Sequence, residues 1–307
     1  MPRVKRAGLS CMSAAILLAG IVPGCTTPAE EPRIALGGEP LFDGVAYRLI
    51  EDREGGPKRI HVLELDLGRV MLEVTPGDRS KGREFTARTT SGYLAEFRLQ
   101  AAVNGGYFTP FNGGSPGGDD FYPHAGDPVD VSGASISGER EASPVELDED
   151  KRVNAILCIE GRHVLILGGQ VCAPGTDHAM AAGPLLLANG VARDLAPYDA
   201  AYASAKHPRT AVGLSADGRR AWILVIDGRQ AGFSEGASLT EVTALFTRLG
   251  ASDAINLDGG GSTTMAVSTP SGPDVLNSPI HTATPGRERP SATHLGIRAA
   301  AAGRLGF

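Results

Sequence analysis

Apolar and polar residues alternate, or apolar residues run together, over 44–50, 60–67 and 69–74, with Gly-Gly-Pro and Gly-Arg breaks between the runs. A period near two bounded by turn residues predicts strands. Residues 89–97 fit a helix leading into a strand at 100–103. Farther along, 211–215 and 221–226 flank Ala216-Asp217-Gly218 and predict a hairpin. The strongest helix signal begins at Ser238. Ser238 and Glu241 make a capping box, Val242, Leu245, Phe246 and Leu249 recur at helical spacing, and Gly250 supplies the stop. The apolar run 253–257 then leads into Asp258, and a final strand is expected at 293–298. No internal repeat is visible. The pattern predicts an α+β fold, a mixed and mainly antiparallel sheet with few helices, as one catalytic domain over 41–307.

Two stretches break the pattern. Residues 109–130 are rich in Gly, Pro and Asp, and loops of that length inside a compact domain are commonly functional lids or insertions. Their acids Asp119, Asp120, Asp127 and Asp130 lack the spacing of a calcium loop and read as a solvated surface. Residues 139–150 are charged and read as exposed.

At the N-terminus Arg3, Lys5 and Arg6 precede an apolar run over 9–22 that ends in Val22-Pro23-Gly24-Cys25. A charged start, a short apolar stretch and small residues before a cut make a secretory signal over 1–24. Gly24-Cys25 resembles the lipobox of bacterial lipoproteins, so Cys25 is expected to be acylated and to anchor the chain on a membrane of the cell envelope. Residues 25–40 read as a tether. Cleavage removes three cations and no acid, taking the formal charge from −6 to −9. Such an acidic chain is a poor partner for nucleic acid, and any phosphate it binds must meet a local cation. Cys158 and Cys172 remain, flanking a predicted hairpin with its turn at Gly161. Outside the cytoplasm they are expected to pair as a disulfide.

The chemistry concentrates in Asn256-Leu257-Asp258-Gly259-Gly260-Gly261-Ser262-Thr263, a carboxylate at a strand end followed by backbone stripped of side chains. Bare amides beside a carboxylate suit close approach of a ligand's oxygens, although a glycine hairpin would read the same way. Asn104, Arg209-Thr210, Asp227, Asn256 and Asp258 all read as turn or strand-end positions, and all but Asn256 lie next to glycine or proline. No H-E-x-x-H or paired Cys/His spacing occurs, so neither a metal nor another cofactor is expected. Gly232-Phe233-Ser234-Glu235-Gly236 matches the nucleophile elbow of serine hydrolases, with His281 and His294 downstream, but no strand runs directly into Ser234.

Asn104-Gly105-Gly106-Tyr107-Phe108, His207-Pro208-Arg209-Thr210-Ala211-Val212-Gly213, Asp227-Gly228-Arg229 with the Ser234 pentapeptide, and the Asp258 stretch occur in that order. Glu288-Arg289-Pro290 follows near the end. This ordered set resembles the phosphodiester glycosidase family across roughly 60–300. The resemblance implies hydrolysis of a sugar-1-phosphodiester that frees the sugar and leaves a phosphate monoester. A departing phosphate monoester is already a stable anion, so it needs charge stabilisation more than a proton. On that reading Asp258, or failing it Asp227, is base or nucleophile, and Arg209 grips the phosphate as a bidentate fork. Asn104, Gly105, Tyr107, Thr210, Ser234, Asn256, Gly260, Gly261 and Ser262 are then substrate-binding, with amides of the glycine run adding electrostatic stabilisation. The alternatives are a serine hydrolase using Ser234, or a non-catalytic phosphoglycan-binding lipoprotein.

Overall fold

In the computed structural model the described residues are 37–301, apart from 110, 112, 116 and 147–149. The signal, Cys25 and most of the expected tether lie outside them. Every named strand pair runs antiparallel. The largest sheet has eight strands in the order Glu39–Phe42, Val45–Asp52, Lys58–Asp66, Arg220–Ile226, Arg209–Leu214, Asp253–Asn256, Leu185–Ala188 and Val191–Ala192. Its first strand starts within the stretch read as a tether.

Alternation along these strands sorts side chains onto two buried faces. Leu63, Leu65, Val212, Ile223, Val225 and Ile255 join residues of two five-stranded sheets in the main core. One of those sheets carries Ala101–Asn104, Met265–Thr269 and His294–Arg298; the other carries Ala155–Glu160, His163–Gly168 and His178–Ala182. The opposite face, with Val62, Ala211, Trp222 and Leu224, buries against a helix. Both faces being covered explains why Arg209–Leu214 is buried at all six positions.

Helix α1 (Thr90–Phe97) packs Tyr93 and Leu94 on Leu99, Ala102 and Ala266. Helix α2 (Ala200–Ala203) is one turn capped by Asp199. Helix α3 (Leu239–Leu249) has both halves of the Ser238–Glu241 capping box and a left-handed Gly250 at its end, as its sequence predicts. It buries Leu239, Val242, Leu245 and Phe246, each contributing about 1.5–3 kcal/mol. Gly213 makes its seat, because a Cβ there would lie 2.5 Å from the Phe246 ring.

Cys158 and Cys172 are joined, with Cα atoms 5.8 Å apart. The charged stretch near 140 departs from its reading: Arg140–Ser143 is an edge strand that buries Ala142 and Ser143.

Candidate active site

Strand direction assembles the site. Arg209 pairs with Ile226, and Ala211 with Asn256. The start of the strand Arg209–Leu214 therefore adjoins the ends of Arg220–Ile226 and Asp253–Asn256. Asp227, Arg229, Asn256 and Asp258 all follow from those ends. Arg229, Asn256 and Asp258 meet at a pocket of about 500 Å³, with Tyr107, Arg152, Tyr202, His207, Arg209 and Arg289 among its walls.

Asp258 is partly buried in this pocket. Burial raises its pKa, against the opposing influence of the nearby Ser262 hydroxyl and the charges of Arg289 and Arg152. The Ser262 hydroxyl nevertheless completes no hydrogen bond of ordinary geometry. The Asp258 backbone is fixed from both sides, its amide donating to Gly105 O at 2.9 Å and its carbonyl accepting from Asn104 Nδ2 at 2.6 Å.

Four arginines face the pocket. Arg152 grips Asp150 through Nε, at 2.8 and 2.9 Å, and lies over the Tyr107 ring at 4.2 Å. Arg209, Arg229 and Arg289 have no carboxylate within ion-pair distance among the described residues. Arg289 lies between the backbone of Gly261 and the ring of Tyr122, 3.8 Å from the ring centre, and donates Nε–H to His281 Nδ1 at 3.2 Å. Its neighbour Glu288 accepts from the Ser91 amide at 3.0 Å, in the first turn of α1. Arg229 sits at a left-handed φ of 59° and gives Nη2–H to His207 Nδ1 at 3.2 Å. His207 Nε2–H in turn donates to Ala201 O at 2.7 Å. His207 is thereby held as one neutral tautomer, and burial, with the charges of Arg209 and Arg229, lowers its pKa.

Several expected site residues stand elsewhere. Asp227 lies outside the pocket lining, 1 % exposed, its carboxylate engaged by His61 Nε2 at 3.1 Å, Asn277 Nδ2 at 3.0 Å and the Ser278 amide at 2.8 Å. Ser234 is fully buried, donating to Asp227 O at 2.6 Å and accepting from the Arg59 amide at 3.1 Å, with no histidine on its hydroxyl. The geometry of a serine hydrolase is therefore not assembled there. Asn104 and Thr210 are internal ties: Thr210 Oγ1 donates to Asn104 Oδ1 at 2.7 Å, and the Thr264 amide donates to the same oxygen at 3.1 Å. Arg209 directs its fork at backbone, Nε to Ala237 O at 3.0 Å and Nη2 to Tyr202 O at 2.5 Å. The amides of Gly259, Gly260 and Ser262 are committed internally, to Asp258 Oδ1 at 2.9 Å, Pro208 O at 2.9 Å and Gly259 O at 3.2 Å. What the glycines supply is room: a Cβ at Gly105 would meet Thr293 at 2.6 Å, and one at Gly261 would meet Arg289 Cζ at the same distance.

Tyr107, Asn256, Asp258 and Gly260 do line the pocket. The sequence reading missed Arg152, Tyr202 and the wall made by Phe111, Phe121 and Tyr122. Those three rings pack together at centroid distances of 5.1 to 5.6 Å. Their only signal was aromatic residues in a long loop, and Arg152 gave none. Arg229 and Arg289 sat inside quoted motifs but were assigned no role.

The phosphodiester glycosidase family model matches residues 97–298. The chain belongs to that family. The family match spans Asp258 and all four pocket arginines. The catalytic domain of zebrafish N-acetylglucosamine-1-phosphodiester alpha-N-acetylglucosaminidase, auto-inhibited by its pro-peptide, shares the fold. Its TM-score is 0.58 at 21 % identity, over 86 % of this chain and 85 % of that one. A hypothetical protein from Synechocystis aligns with TM-score 0.51 at 14 % identity, over 83 % of this chain and 62 % of that one. At such identities these likenesses speak to the fold alone. No curated protein matches the chain.

Proposed function

We propose that this phosphodiester glycosidase hydrolyses a sugar-1-phosphodiester at the anomeric carbon, releasing the sugar and a phosphate monoester. One observation carries the reading: the partly buried carboxyl of Asp258 shares a pocket with the guanidiniums of Arg209, Arg229 and Arg289, which have no carboxylate within ion-pair distance among the described residues, while the other acid of the lining, Asp199, is exposed and caps α2. Arg229 and Arg289 take the phosphate oxygens, since Arg209 is committed to carbonyls and braces the wall. Asp258 acts at the anomeric carbon as base or nucleophile. A second carboxylic acid is not required when the leaving group departs as an anion, which agrees with Asp227 being engaged elsewhere. The Phe111, Phe121 and Tyr122 wall offers apolar faces to the sugar ring.

Hydrolysis in ¹⁸O-labelled water tests the bond that breaks. Label belongs in the released sugar, because the phosphate leaves with its bridging oxygen; label in the phosphate product overturns attack at carbon. Asp258→Asn is expected to abolish turnover of a sugar-1-phosphodiester panel while binding persists, and turnover by that variant removes Asp258 from the chemistry. Binding by the wild type with no turnover of any panel member would favour a phosphoglycan-binding role.

We also propose that Cys25 is acylated and anchors the domain on a membrane of the cell envelope, at its periplasmic or extracellular face, on the strength of the signal and Gly24-Cys25. The joined Cys158–Cys172 pair suits an oxidising compartment. Cys25→Ser moves the protein from membranes to the soluble extract. A wild type already soluble, with a mature N-terminus other than Cys25, refutes the anchor.

A further inference from the structure

Asn256, Tyr107, Tyr202 and the carbonyl of Gly183 form one hydrogen-bonded knot at the pocket wall. Asn256 Nδ2 lies 2.6 Å from Leu257 O, 2.9 Å from Gly183 O, 3.0 Å from Tyr107 Oη and 3.3 Å from Tyr202 Oη. Tyr107 Oη lies 2.7 Å from Gly183 O and 2.6 Å from Tyr202 Oη. The Asn256 amide has two hydrogens to donate and each phenol has one. Leu257 O takes one amide hydrogen, and the other is directed at Gly183 O and Tyr107 Oη. Tyr107 gives its own hydrogen to Gly183 O. Asn256 can therefore satisfy the Tyr107 oxygen without help from Tyr202. The hydroxyl hydrogen of Tyr202 has two acceptors within the knot, Tyr107 Oη at 2.6 Å and Gly183 O at 3.3 Å, but both oxygens already receive a hydrogen from Asn256 or Tyr107, so it is the one that can turn outward without leaving an acceptor bare.

Tyr202 lines the pocket between two cations, with Arg209 Cζ 5.3 Å and Arg152 Cζ 5.6 Å from its ring centre. Whatever anion the arginines draw in arrives beside this hydroxyl. We propose that Tyr202 is a ligand-binding residue that donates a hydrogen bond to a phosphoryl oxygen of the bound substrate. The proposal rests on the reading of the pocket as a phosphodiester site. The α2 turn is built to hold the donor, since Asp199 caps it and Arg209 grips the Tyr202 carbonyl. The charged and titratable groups around the phenol are Tyr107, Arg209, Arg152 and Asp258. Burial dominates among them and pushes the phenol up to about 12, so it remains a donor at any working pH.

Methyl phosphate, titrated calorimetrically into the intact protein, is the probe. Tyr202→Phe is expected to weaken binding about tenfold to a hundredfold, the range for a hydrogen bond to a charged group. Replacing Tyr202 by a difluorotyrosine, a more acidic phenol, keeps binding at neutral pH and moves its alkaline loss to lower pH. A hydroxyl that only braced the knot would leave that limb where it was. Equal binding by wild type and Tyr202→Phe, an unmoved alkaline limb, or no binding to wild type overturns the proposal. Tyr202-dependent binding without turnover of any sugar phosphodiester sinks the glycosidase reading alone. Turnover insensitive to Tyr202→Phe sinks this proposal alone.

Discussion

Gly261→Ala tests whether the glycine run exists to seat Arg289. Gly261 has ordinary backbone angles, so alanine is compatible with the local conformation. The conflict is purely one of space. The added Cβ would stand 2.6 Å from Arg289 Cζ and closer still to Nη2, where real contacts essentially never fall below 3.0 Å. Tyr122 blocks retreat on the other side, 3.8 Å from the guanidinium to its ring centre. The guanidinium must therefore slide out of its slot by a distance on the order of 1 Å, a misplacement that can cost about a hundredfold in rate. Removing an electrostatic donor outright costs about 2.7–4 kcal/mol, or roughly a hundredfold to a thousandfold in kcat. Gly261→Ala is accordingly expected to lower kcat/KM on a sugar-1-phosphodiester by about a hundredfold. Its stability should hardly change, because alanine restricts the unfolded chain by about 0.4–1 kcal/mol and offsets the disturbed stacking. Steady-state kinetics on Gly261→Ala, Arg289→Gln and the double variant, beside thermal melts, decide the matter. The two losses should overlap almost completely, since both remove one guanidinium. Wild-type activity in Gly261→Ala, or fully additive losses, would refute the reasoning.

Asn104→Ala leaves Thr210 Oγ1 and the Thr264 amide without their acceptor and the Asp258 carbonyl without its donor, all in the interior. Urea unfolding should show a loss of roughly 3 kcal/mol, and a loss below about 1 kcal/mol would contradict the role given to this side chain. His294 is fully buried, stacked on Tyr93 at 4.7 Å, and burial drives its pKa down to about 3. Its neutral form is favoured in the folded state, so the unfolded chain binds more protons between about pH 6.5 and 3. Stability falls as pH drops through that window. His294→Gln should flatten that part of the stability–pH curve, and an unchanged slope would place the acid sensitivity elsewhere.

Much of the scaffold was legible because its signals are local. The box at Ser238 and Glu241 and the stop at Gly250 mark both ends of the eleven-residue α3, and the Asp217-Gly218 turn marks its hairpin. The site was legible only in part. A strand-end polar residue announces that it needs a partner, not which side the partner lies on. Asp227 and Asp258 each precede a glycine after an apolar run, yet one is enclosed by His61, Asn277 and Ser278 while the other opens on the pocket. Asn104 looked like a ligand-binding residue for the same reason, although its partners lie over a hundred positions away in sequence. Arg152 is placed by the strand Ala155–Glu160 that follows it, a consequence of sheet pairing that no local pattern reports.

The tie between Asn104 and Asp258 spans 154 positions, and the strand Ala101–Asn104 is completed by His294–Arg298 near the chain's end. Contacts of such sequence separation carry a large loop-closure entropy and slow folding. A nascent chain that has not yet supplied Arg289 and the strand beginning at His294 has Asp258 but neither the guanidinium beside Gly261 nor the strand that completes Ala101–Asn104. The pocket is therefore complete only once Arg289 and the strand His294–Arg298 are in place. A C-terminal truncation is expected to behave as a folding lesion first and a catalytic lesion second.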